Sequence, residues 1–438
     1  MPHRTHKTHS SRHASRREFF RRTFVGSLVC SLSPRWWGLL GAEQQPLAPY
    51  DLVVKGGRVV DPALKLSAVR DVAISGAKVA KIAADIPADQ ARQVLDARGK
   101  IVTPGLIDVH VHVYDGVAPL GIPADPNCIA KGVTTVLDAG SAGAHTFPGL
   151  RKYVINVVDT RVFALLNISL VGQSTLSQDN LHGELLNLQY VSPAAAIRTI
   201  ERNRDVILGL KVRLSKEITG PNDLEVLGMA KEAAAAVNLP IMTHIGDSFS
   251  PIDKILDMLG KGDVLTHTFH GRAQGILDAS GRVIPAVRRA AERGVNFDVG
   301  HGAGSFAFDV CEKALAQDVI PGTISSDMHQ YNVNGPVYDL ATTLSKFLHL
   351  GLTLDQVIER AATNPAATFA FPQGLGTLKE GSEADVAVFS LLEGDFEFTD
   401  SQTQTRTGHQ KLVPVATVKA GRLYGSASIP VPERGVKK

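Results

Sequence analysis

The chain has 438 residues, of which 44% are hydrophobic and 20% are charged, a composition typical of a globular protein with a large core. The formal net charge is only +3, and no basic patch is interleaved with aromatic residues beyond the N-terminal leader, which argues against a nucleic-acid partner. Three scattered cysteines argue against a disulfide framework, and no apolar run reaches the ~20 residues of a stable membrane span.

Residues 1–42 are typical of a targeting segment. The stretch SRREFFR (15–21) resembles a twin-arginine signal and precedes an apolar run that Arg35 interrupts. The expected cleavage point near Ala42 has Leu40 at its third position back, where signal segments usually have a small residue. We therefore expect export to the periplasm, with a disordered basic arm of a cytoplasmic enzyme as the alternative. Residues 426–438 are expected to form a tail.

Short strands are predicted near both ends of the chain. Residues 50–103 contain two apolar runs broken by glycines, as in hairpins, and residues 373–425 contain two further strand-like runs. Because both ends supply β-segments, the economical arrangement is one small β-sandwich built from the N-terminal and C-terminal strands.

Between residues 104 and 372 apolar strands alternate with helical stretches, which is the pattern of parallel β/α units. Eight such strands close most naturally into a (β/α)8 TIM-type barrel. An open doubly wound sheet is the alternative, but it needs a glycine-rich nucleotide loop after its first strand, and the sequence has none there. The predicted strands are 106–112, 133–138, 162–168, 206–213, 240–244, 263–268, 294–299 and 322–327.

The first predicted barrel strand ends in a pair of histidines, within PGLIDVHVH (104–112). Residues two apart on a strand point the same way, so His110 and His112 are predicted to project together at the strand's C-terminal end. Two neutral imidazoles there make half of a transition-metal site, and barrel enzymes keep their chemistry at these strand ends. The alternative is a pair of inert, hydrogen-bonded histidines at a loop edge.

Four more candidate ligands follow, each on its own predicted strand: Lys211, His244, His267 and Asp327. Lys211 lies inside an otherwise apolar run, where burial disfavours its charged form. This unfavourable burial is avoided if the amine is neutral and has reacted with carbon dioxide to form a carbamate that bridges two cations. Asp327 could instead be a helix N-cap, because SSD (325–327) also fits that pattern.

These residues resemble the metal-ligand set of the amidohydrolase superfamily. The motifs GVTTVLDAGSAG (132–143), GLKVR (209–213), GHGAGSF (300–306) and ISSDMH (324–329) look like its amidohydrolase/deacetylase branch, often labelled dihydroorotase-like. The resemblance covers roughly residues 50–425 and departs from the family at none of the six ligand positions.

The resemblance implies two divalent metal ions, most simply Zn²⁺. His110, His112 and Asp327 would hold one ion, His244 and His267 the other, and a carbamate on Lys211 would join them. A hydroxide bridging the ions would attack the carbonyl carbon, and Asp327 would take its proton and pass it to the leaving group.

Residues beyond the ligands are predicted to contact the substrate. Arg213 is two residues after Lys211 on the same predicted strand, so it should point the same way, nearer the opening of the active site. There it would bind a substrate carboxylate or, equally well, form a salt bridge to a neighbouring loop. His301 and His329 fall on loops after the last two strands and would either touch the substrate or be exposed. Asp108 is expected to accept a hydrogen bond from a ligating imidazole.

The sequence thus predicts a binuclear metal-dependent hydrolase of an amide or ester bond in a small carboxylate-bearing substrate. A cyclic-amide hydrolase is the second reading, and a non-catalytic barrel scaffold is a remote third. Retention of all six ligand positions argues against the scaffold. The partner is a small molecule, and a homo-oligomer is compatible with the sequence.

Overall fold

The computed structural model describes residues 48–176 and 183–425, and all of them belong to one compact unit. The predicted leader (1–42) and tail (426–438) lie outside these residues. Among the described residues, no helix combines the length and apolar character needed to cross a bilayer.

Strands from the two ends of the chain join in one mixed sheet of eight strands. The N-terminal members are β1 (Tyr50–Asp61), β2 (Leu66–Ser75), β3 (Lys78–Ala83), β4 (Ala91–Asp96) and β5 (Ile101–Pro104). The C-terminal members come last in the chain and are β13 (Val386–Thr399), β14 (Thr405–Lys419) and β15 (Arg422–Gly425). The order is β15-β14-β13-β5-β1-β2-β3, with β4 beside β1, so the antiparallel pairing of β5 with β13 joins the two halves.

The second sheet is parallel and has seven strands in the order of the chain. They are β6 (Leu106–Val111), β7 (Val133–Gly143), β8 (Arg161–Asn167), β9 (Ile207–Arg213), β10 (Ile241–His244), β11 (Val264–Thr266) and β12 (Asn296–Phe297). Their residues are almost entirely buried, as expected for parallel strands covered on both faces.

The predicted eighth strand, 322–327, is not a regular strand. Thr323 and the adjoining Met328 form isolated parallel bridges to Asp298 and Val111, at the two edges of the seven-stranded sheet. The Asp108 carboxylate accepts from the Ser326 N–H and the Ser326 hydroxyl accepts from the Met328 N–H, and Asp327 has a φ of +47°, which ends the extended geometry. The prediction located this segment correctly but not its irregular backbone.

Helices connect the parallel strands. They are α1 (Ala124–Asn127), α2 (Phe147–Leu150), α3 (Pro193–Glu201), α4 (Lys216–Thr219), α5 (Asp223–Val237), α6 (Ile252–Met258), α7 (Pro285–Glu292), α8 (Phe308–Leu315), α9 (Leu340–His349), α10 (Leu354–Glu359) and α11 (Thr363–Thr368). Single turns of 3₁₀ helix span Pro62–Leu64, Ala88–Gln90, Ile129–Lys131, Leu188–Tyr190 and Gly220–Asn222, and a π-helical turn spans Arg151–Ile155. Ser192 caps α3 and Thr353 caps α10, each through its side-chain oxygen.

The parallel sheet separates two apolar clusters. Leu166 and Leu265 belong to the cluster that contains the helices, whereas their chain neighbours Leu165 and Val264 belong to a smaller cluster closed by the segment 366–375. Because neighbouring side chains on a strand point to opposite faces, the two clusters lie on opposite faces of the sheet. The strand ends beyond the smaller cluster carry the candidate site.

Candidate metal centre

A polar cavity of about 180 Å³ opens at the C-terminal ends of the parallel strands. This volume suits a molecule smaller than a typical drug-sized ligand. Its wall includes all six predicted metal ligands together with Arg213 and His329, whereas His301 is not part of it. The lining residues are His110, His112, Leu120, Gln173, Lys211, Arg213, Ser215, Glu217, His244, Gly246, His267, Arg272, Ala303, Gly304, Ser305, Asp327 and His329.

His110, His112 and Asp327 form a compact buried cluster. The Nε2 atoms of His110 and His112 lie 3.3 Å and 3.2 Å from Asp327 Oδ1, and one donor atom from each residue lies within 4.8 Å of the others. Burial lowers the pKa of both imidazoles, that of His112 to about 3, so both rings are neutral at pH 7. Neutral imidazole is the form that binds metals.

Hydroxyl groups orient both imidazoles from behind. His110 Nδ1 contacts Thr266 Oγ1 at 2.9 Å, and that hydroxyl donates to Asp298 Oδ2 at 2.7 Å, so Nδ1 carries the proton and Nε2 is free. His112 Nδ1 is likewise 2.9 Å from the Ser141 hydroxyl, next to Asp138. Such partners fix the tautomer of a metal-binding histidine and its orientation.

His244 and His267 form a second histidine pair, with ring centroids 4.4 Å apart. His267 Nδ1 donates to the carbonyl of Gly300 at 2.7 Å, which leaves Nε2 free. His244 Nε2 contacts Ser215 Oγ at 2.9 Å, which leaves Nδ1 free. The ring centroid of His267 is 4.9 Å from that of His110, so the two histidine pairs are adjacent.

Lys211 lies beside His110 and is fully buried. Its Nζ is 3.1 Å from His110 Nε2 and 3.4 Å from the sulfur of Met242, which is poor solvation for an ammonium. Burial lowers its pKa to about 7. The side chain passes over Gly140, where an added Cβ would lie 2.6 Å from Lys211 Cβ, so glycine is required at this position.

Asp327 is held by a tight loop. An added Cβ on Gly302, whose φ is +58°, would lie 2.4 Å from Asp327 Oδ2. The Asn332 amide donates to the Asp327 backbone carbonyl at 2.7 Å. Burial raises the pKa of the Asp327 carboxyl to about 6.

The predicted substrate residues are in different environments. Arg213 lines the cavity and also forms the ion pair that the sequence allowed, with Nη1 2.8 Å from Glu184 Oε2. His329 lines the cavity, and its Nδ1 accepts from the Tyr331 N–H, so Nε2 is the protonated nitrogen. His301 departs from the expectation of a loop residue facing the substrate: it is fully buried behind the cavity wall, with Nε2 2.7 Å from the Nζ of Lys346.

Asp108 has another role than the one predicted. It accepts hydrogen bonds from the Ser326 hydroxyl and from the backbone N–H groups of Ser326 and His110, not from an imidazole. The pairing of β6 with β7 shifts register between Asp108 and Val111, so the simple alternation used for the prediction fails within the motif.

Sequence reasoning missed the residues that hold the ligands in place, chiefly Thr266, Asp298, Ser215 and Glu184. The signal available for Asp298 was a carboxylate near the end of a predicted strand, the same signal that identified Asp327. Gln173 was also missed: its Oε1 is enclosed in the cavity wall and has no hydrogen-bond partner among the described residues, so it is available to a donor group of a bound molecule.

The donor set fits a divalent transition-metal centre. Four neutral imidazoles and a carboxylate converge, and the free nitrogens of His110 and His112 face the same carboxylate oxygen. Nitrogen and oxygen donors of this kind suit zinc and its neighbours rather than calcium or magnesium.

Comparison with known proteins places this chain in a family. Residues 101–424 match the amidohydrolase family model, so the chain belongs to the amidohydrolase family and is a hydrolytic enzyme. A deacetylase of Enterococcus faecalis is 36% identical over 381 residues, which cover 86% of this chain and 99% of that protein. A deacetylase of Agrobacterium fabrum is 35% identical over 332 residues, covering 76% and 81%.

Two solved structures support the same family assignment. A crystal structure described as an adenine deaminase has a TM-score of 0.79 and 35% identity and covers 86% of this chain and 100% of its own. One described as a dihydroorotase has a TM-score of 0.78 and 31% identity, covering 87% and 99%. The predicted family and the predicted hydrolase activity are thereby confirmed.

Proposed function

We propose that the protein is a binuclear metal-dependent deacetylase acting on an amide or ester bond of a small carboxylate-bearing substrate. The observation that carries the proposal is the convergence of two histidine pairs, Lys211 and Asp327 in one cavity. The acetyl group is supported by the two relatives named deacetylase, at 35% and 36% identity.

In this proposal His110, His112 and Asp327 would hold one Zn²⁺, and His244 and His267 would hold the second. Addition of the Lys211 amine to carbon dioxide, with loss of a proton, would give a carbamate that could serve as a further oxygen ligand. The poor solvation of Nζ supports this, because a carbamate between two cations is stable where an ammonium is not. Bound divalent ions of this kind acidify water and polarise a carbonyl group.

Asp327 moves the proton. Its carboxylate takes the proton of the attacking water and returns it to the nitrogen or oxygen of the leaving group. His329, neutral because burial lowers its pKa to about 4, donates its Nε2–H to the substrate.

We further propose that the parallel sheet is a closed (β/α)8 barrel and that the mixed sheet is a small β-sandwich appended to it. The two parallel bridges of the segment 322–328 to opposite edges of the seven-stranded sheet support closure. The two faces of the mixed sheet, covered by separate small apolar clusters, support the sandwich.

A cyclic-amide hydrolase is the second candidate. It is favoured by the structural neighbour described as a dihydroorotase, at a TM-score of 0.78. The same centre would open a ring instead of releasing acetate, so only the products distinguish the two.

The test is a hydrolysis screen of zinc-loaded protein combined with metal analysis. We expect about two ions per chain, acetate release from N-acetyl amino acids or O-acetyl α-hydroxy acids, and loss of activity on chelation with recovery on adding zinc. Ring opening of dihydroorotate or a hydantoin without acetate release would favour the second candidate. Full activity in metal-free protein would overturn both.

We also propose that residues 1–42 direct export. Fusing them to a reporter should send it to the periplasm of a host with a twin-arginine pathway. Replacing Arg16 and Arg17 by lysine should retain it in the cytoplasm. Cytoplasmic retention of the unaltered fusion would favour the alternative of a basic arm.

A further inference from the structure

Two guanidinium groups line the cavity, Arg213 and Arg272. A guanidinium at the edge of a partly desolvated cavity can read a carboxylate through paired hydrogen bonds, but only if its own charge is not already neutralised. The two arginines differ in this respect.

Arg213 is already paired. Its Nη1 lies 2.8 Å from Glu184 Oε2, and the Glu184 side chain is only 3% exposed. The other oxygen of Glu184 accepts from the Asn167 amide at 3.2 Å, so the carboxylate is fixed in place. A substrate anion would have to compete with this buried partner. Arg213 is therefore suited to holding the loop around Glu184 against β9.

Arg272 is exposed at the cavity wall, and its side chain makes one hydrogen bond there, from Nε to the Gly304 carbonyl at 3.4 Å. No carboxylate within residues 48–176 and 183–425 forms an ion pair with it. Gly304 makes room for it, because an added Cβ there would lie 2.8 Å from Arg272 Nη2, and Gly246 is a neighbour of the stem, where an added Cβ would lie 3.9 Å from Arg272 Cδ.

Gly246 also lies close to His244, one of the proposed metal ligands. An added Cβ on Gly246 would be 3.8 Å from His244 Nε2, so the arginine stem and the imidazole flank one glycine. A molecule whose reacting carbonyl lies at the histidines therefore has the guanidinium of Arg272 within reach of a substituent a few bonds away.

We propose that Arg272 selects a carboxylate substituent on the substrate, whereas Arg213 orders the loop that carries Glu184. This inference rests on the proposed function and names the charge class that the site prefers. Glu217 also lines the cavity and has no ion-pair partner among the described residues, so a preference for a cationic substrate is the competing outcome.

The test compares the holoenzyme with Arg272→Met, Arg272→Lys and Arg213→Met, each shown by circular dichroism to be folded. Matched substrates are O-acetyl-lactate and O-acetyl-lactamide, N-acetylalanine and N-acetylalaninamide, with acetylcholine as the cationic probe. We expect Arg272→Met to lower kcat/KM for the acids by about 10- to 100-fold and for the carboxamides by less than about threefold.

Arg272→Lys should recover only part of this loss, because an ammonium keeps the charge but not the paired hydrogen bonds. Arg213→Met should lower kcat/KM for acid and carboxamide by the same factor. Equal losses for acid and carboxamide in Arg272→Met would overturn the proposal. So would faster cleavage of acetylcholine than of the acids, or a charge preference altered by Arg213→Met alone.

A binding measurement separates this inference from the proposed function. In a thermal-shift titration at constant ionic strength, lactate should stabilise the wild-type holoenzyme more than lactamide does, and Arg272→Met should lose the difference. If no acetylated compound is cleaved while this difference holds, the proposed function fails and the role of Arg272 stands. If Arg272→Met keeps the difference, the role of Arg272 fails.

Discussion

Hydroxyl side chains decide which nitrogen of His110, His112 and His244 is free to bind a metal. Thr266 is the clearest case, because its oxygen accepts from His110 Nδ1 and donates to Asp298. Asp298 also accepts from the hydroxyls of Thr323 and Ser325, at 2.7 Å each. The chain of hydrogen bonds thus ends on a buried carboxylate that is itself held in place.

Replacing Thr266 by valine should weaken metal binding without unfolding the protein. The methyl group keeps the shape but leaves the His110 Nδ1–H and the Asp298 carboxylate short of one partner. We expect the Kd for Zn²⁺ to rise by about 10- to 100-fold. Thr243→Val is the matched control, because Thr243 Oγ1 is buried on the neighbouring strand with no hydrogen-bond partner in the described part of the chain. A similar loss of affinity in both variants would contradict the role of Thr266.

Lys211→Ala should lower kcat by about 10²–10³-fold, and added acetate or propionate should restore part of it. The reason is that a small carboxylate can occupy the place of the proposed carbamate. Lys346→Ala removes the other lysine that is fully buried within the described residues, and it should show no rescue by the acids. Undiminished turnover by Lys211→Ala would exclude the carbamate.

The positions of the proposed ligands could be read from the sequence, because each is a polar residue at or near the end of an apolar strand. The residues that hold these ligands in place could not be read from the sequence. Thr266 is 156 positions from His110, and the contact exists only because two distant strands lie in one sheet. Similarly, the alternation of side chains along the strand placed Arg213 in the cavity, but it could not reveal Glu184, which reaches Arg213 from a loop.

At the scale of elements, the loop 300–305 connects several parts of the site. The carbonyl of Gly300 orients His267, Gly302 packs against Asp327, and the residues that follow line the cavity. Behind the loop, His301 accepts from Lys346, whose Nζ also donates to the carbonyls of Pro336 and Thr399. The loop is thus anchored on its far side by a buried amine on α9.

Gly302→Ala should lower kcat/KM by about 10- to 100-fold while the fold is retained, because the new methyl group displaces the Asp327 carboxylate. Gly76→Ala is the control: its φ of +56° gives the same backbone strain, but no atom lies within 4 Å of the added Cβ. The control should lose only about 1 kcal/mol of stability. Equal activity of the two variants would show that backbone strain, not the clash with Asp327, is what matters.

Lys346 should make stability depend on pH. Burial lowers its pKa to about 7, against an ordinary value of 10.5, so the unfolded chain binds more protons than the folded one between these values. The free energy of unfolding attributable to this residue should therefore rise as pH rises from about 7 to 10. Urea unfolding of wild type and Lys346→Met over this range measures it, and a constant difference between the two proteins would refute it.

The elements show where periodicity fails as a guide. The helices and most parallel strands follow from their apolar spacing, but β6 shifts register inside the histidine motif and the segment 322–328 leaves the extended conformation at Asp327. Both irregularities occur where side chains replace backbone hydrogen bonds. Functional sites are the expected place for such departures.

At the scale of the whole molecule, the two sheets share a core. The large apolar cluster contains residues of the helices and of the parallel sheet together with Phe389, Phe398 and Leu412 of the C-terminal strands. Phe389 is fully buried, and its ring tip would lie 2.6 Å from a Cβ added to Gly132, which shows how closely the parts pack. The sequence suggested two regions, and only the three-dimensional contacts show that they are not independent.

The described part of the molecule should therefore unfold in one transition. Phe389→Ala in the mixed sheet and Leu227→Ala in α5 should each destabilise the whole by about 2–5 kcal/mol and shift the same transition, because each leaves a cavity in the shared core. Val69→Ala, at a side chain 58% exposed on β2, should leave the transition unchanged. The measurement is thermal unfolding followed in parallel by circular dichroism and by residual activity. If Phe389→Ala lowered only an early transition while activity survived to the wild-type temperature, the mixed sheet would be a separate folding unit and the shared core would carry no coupling.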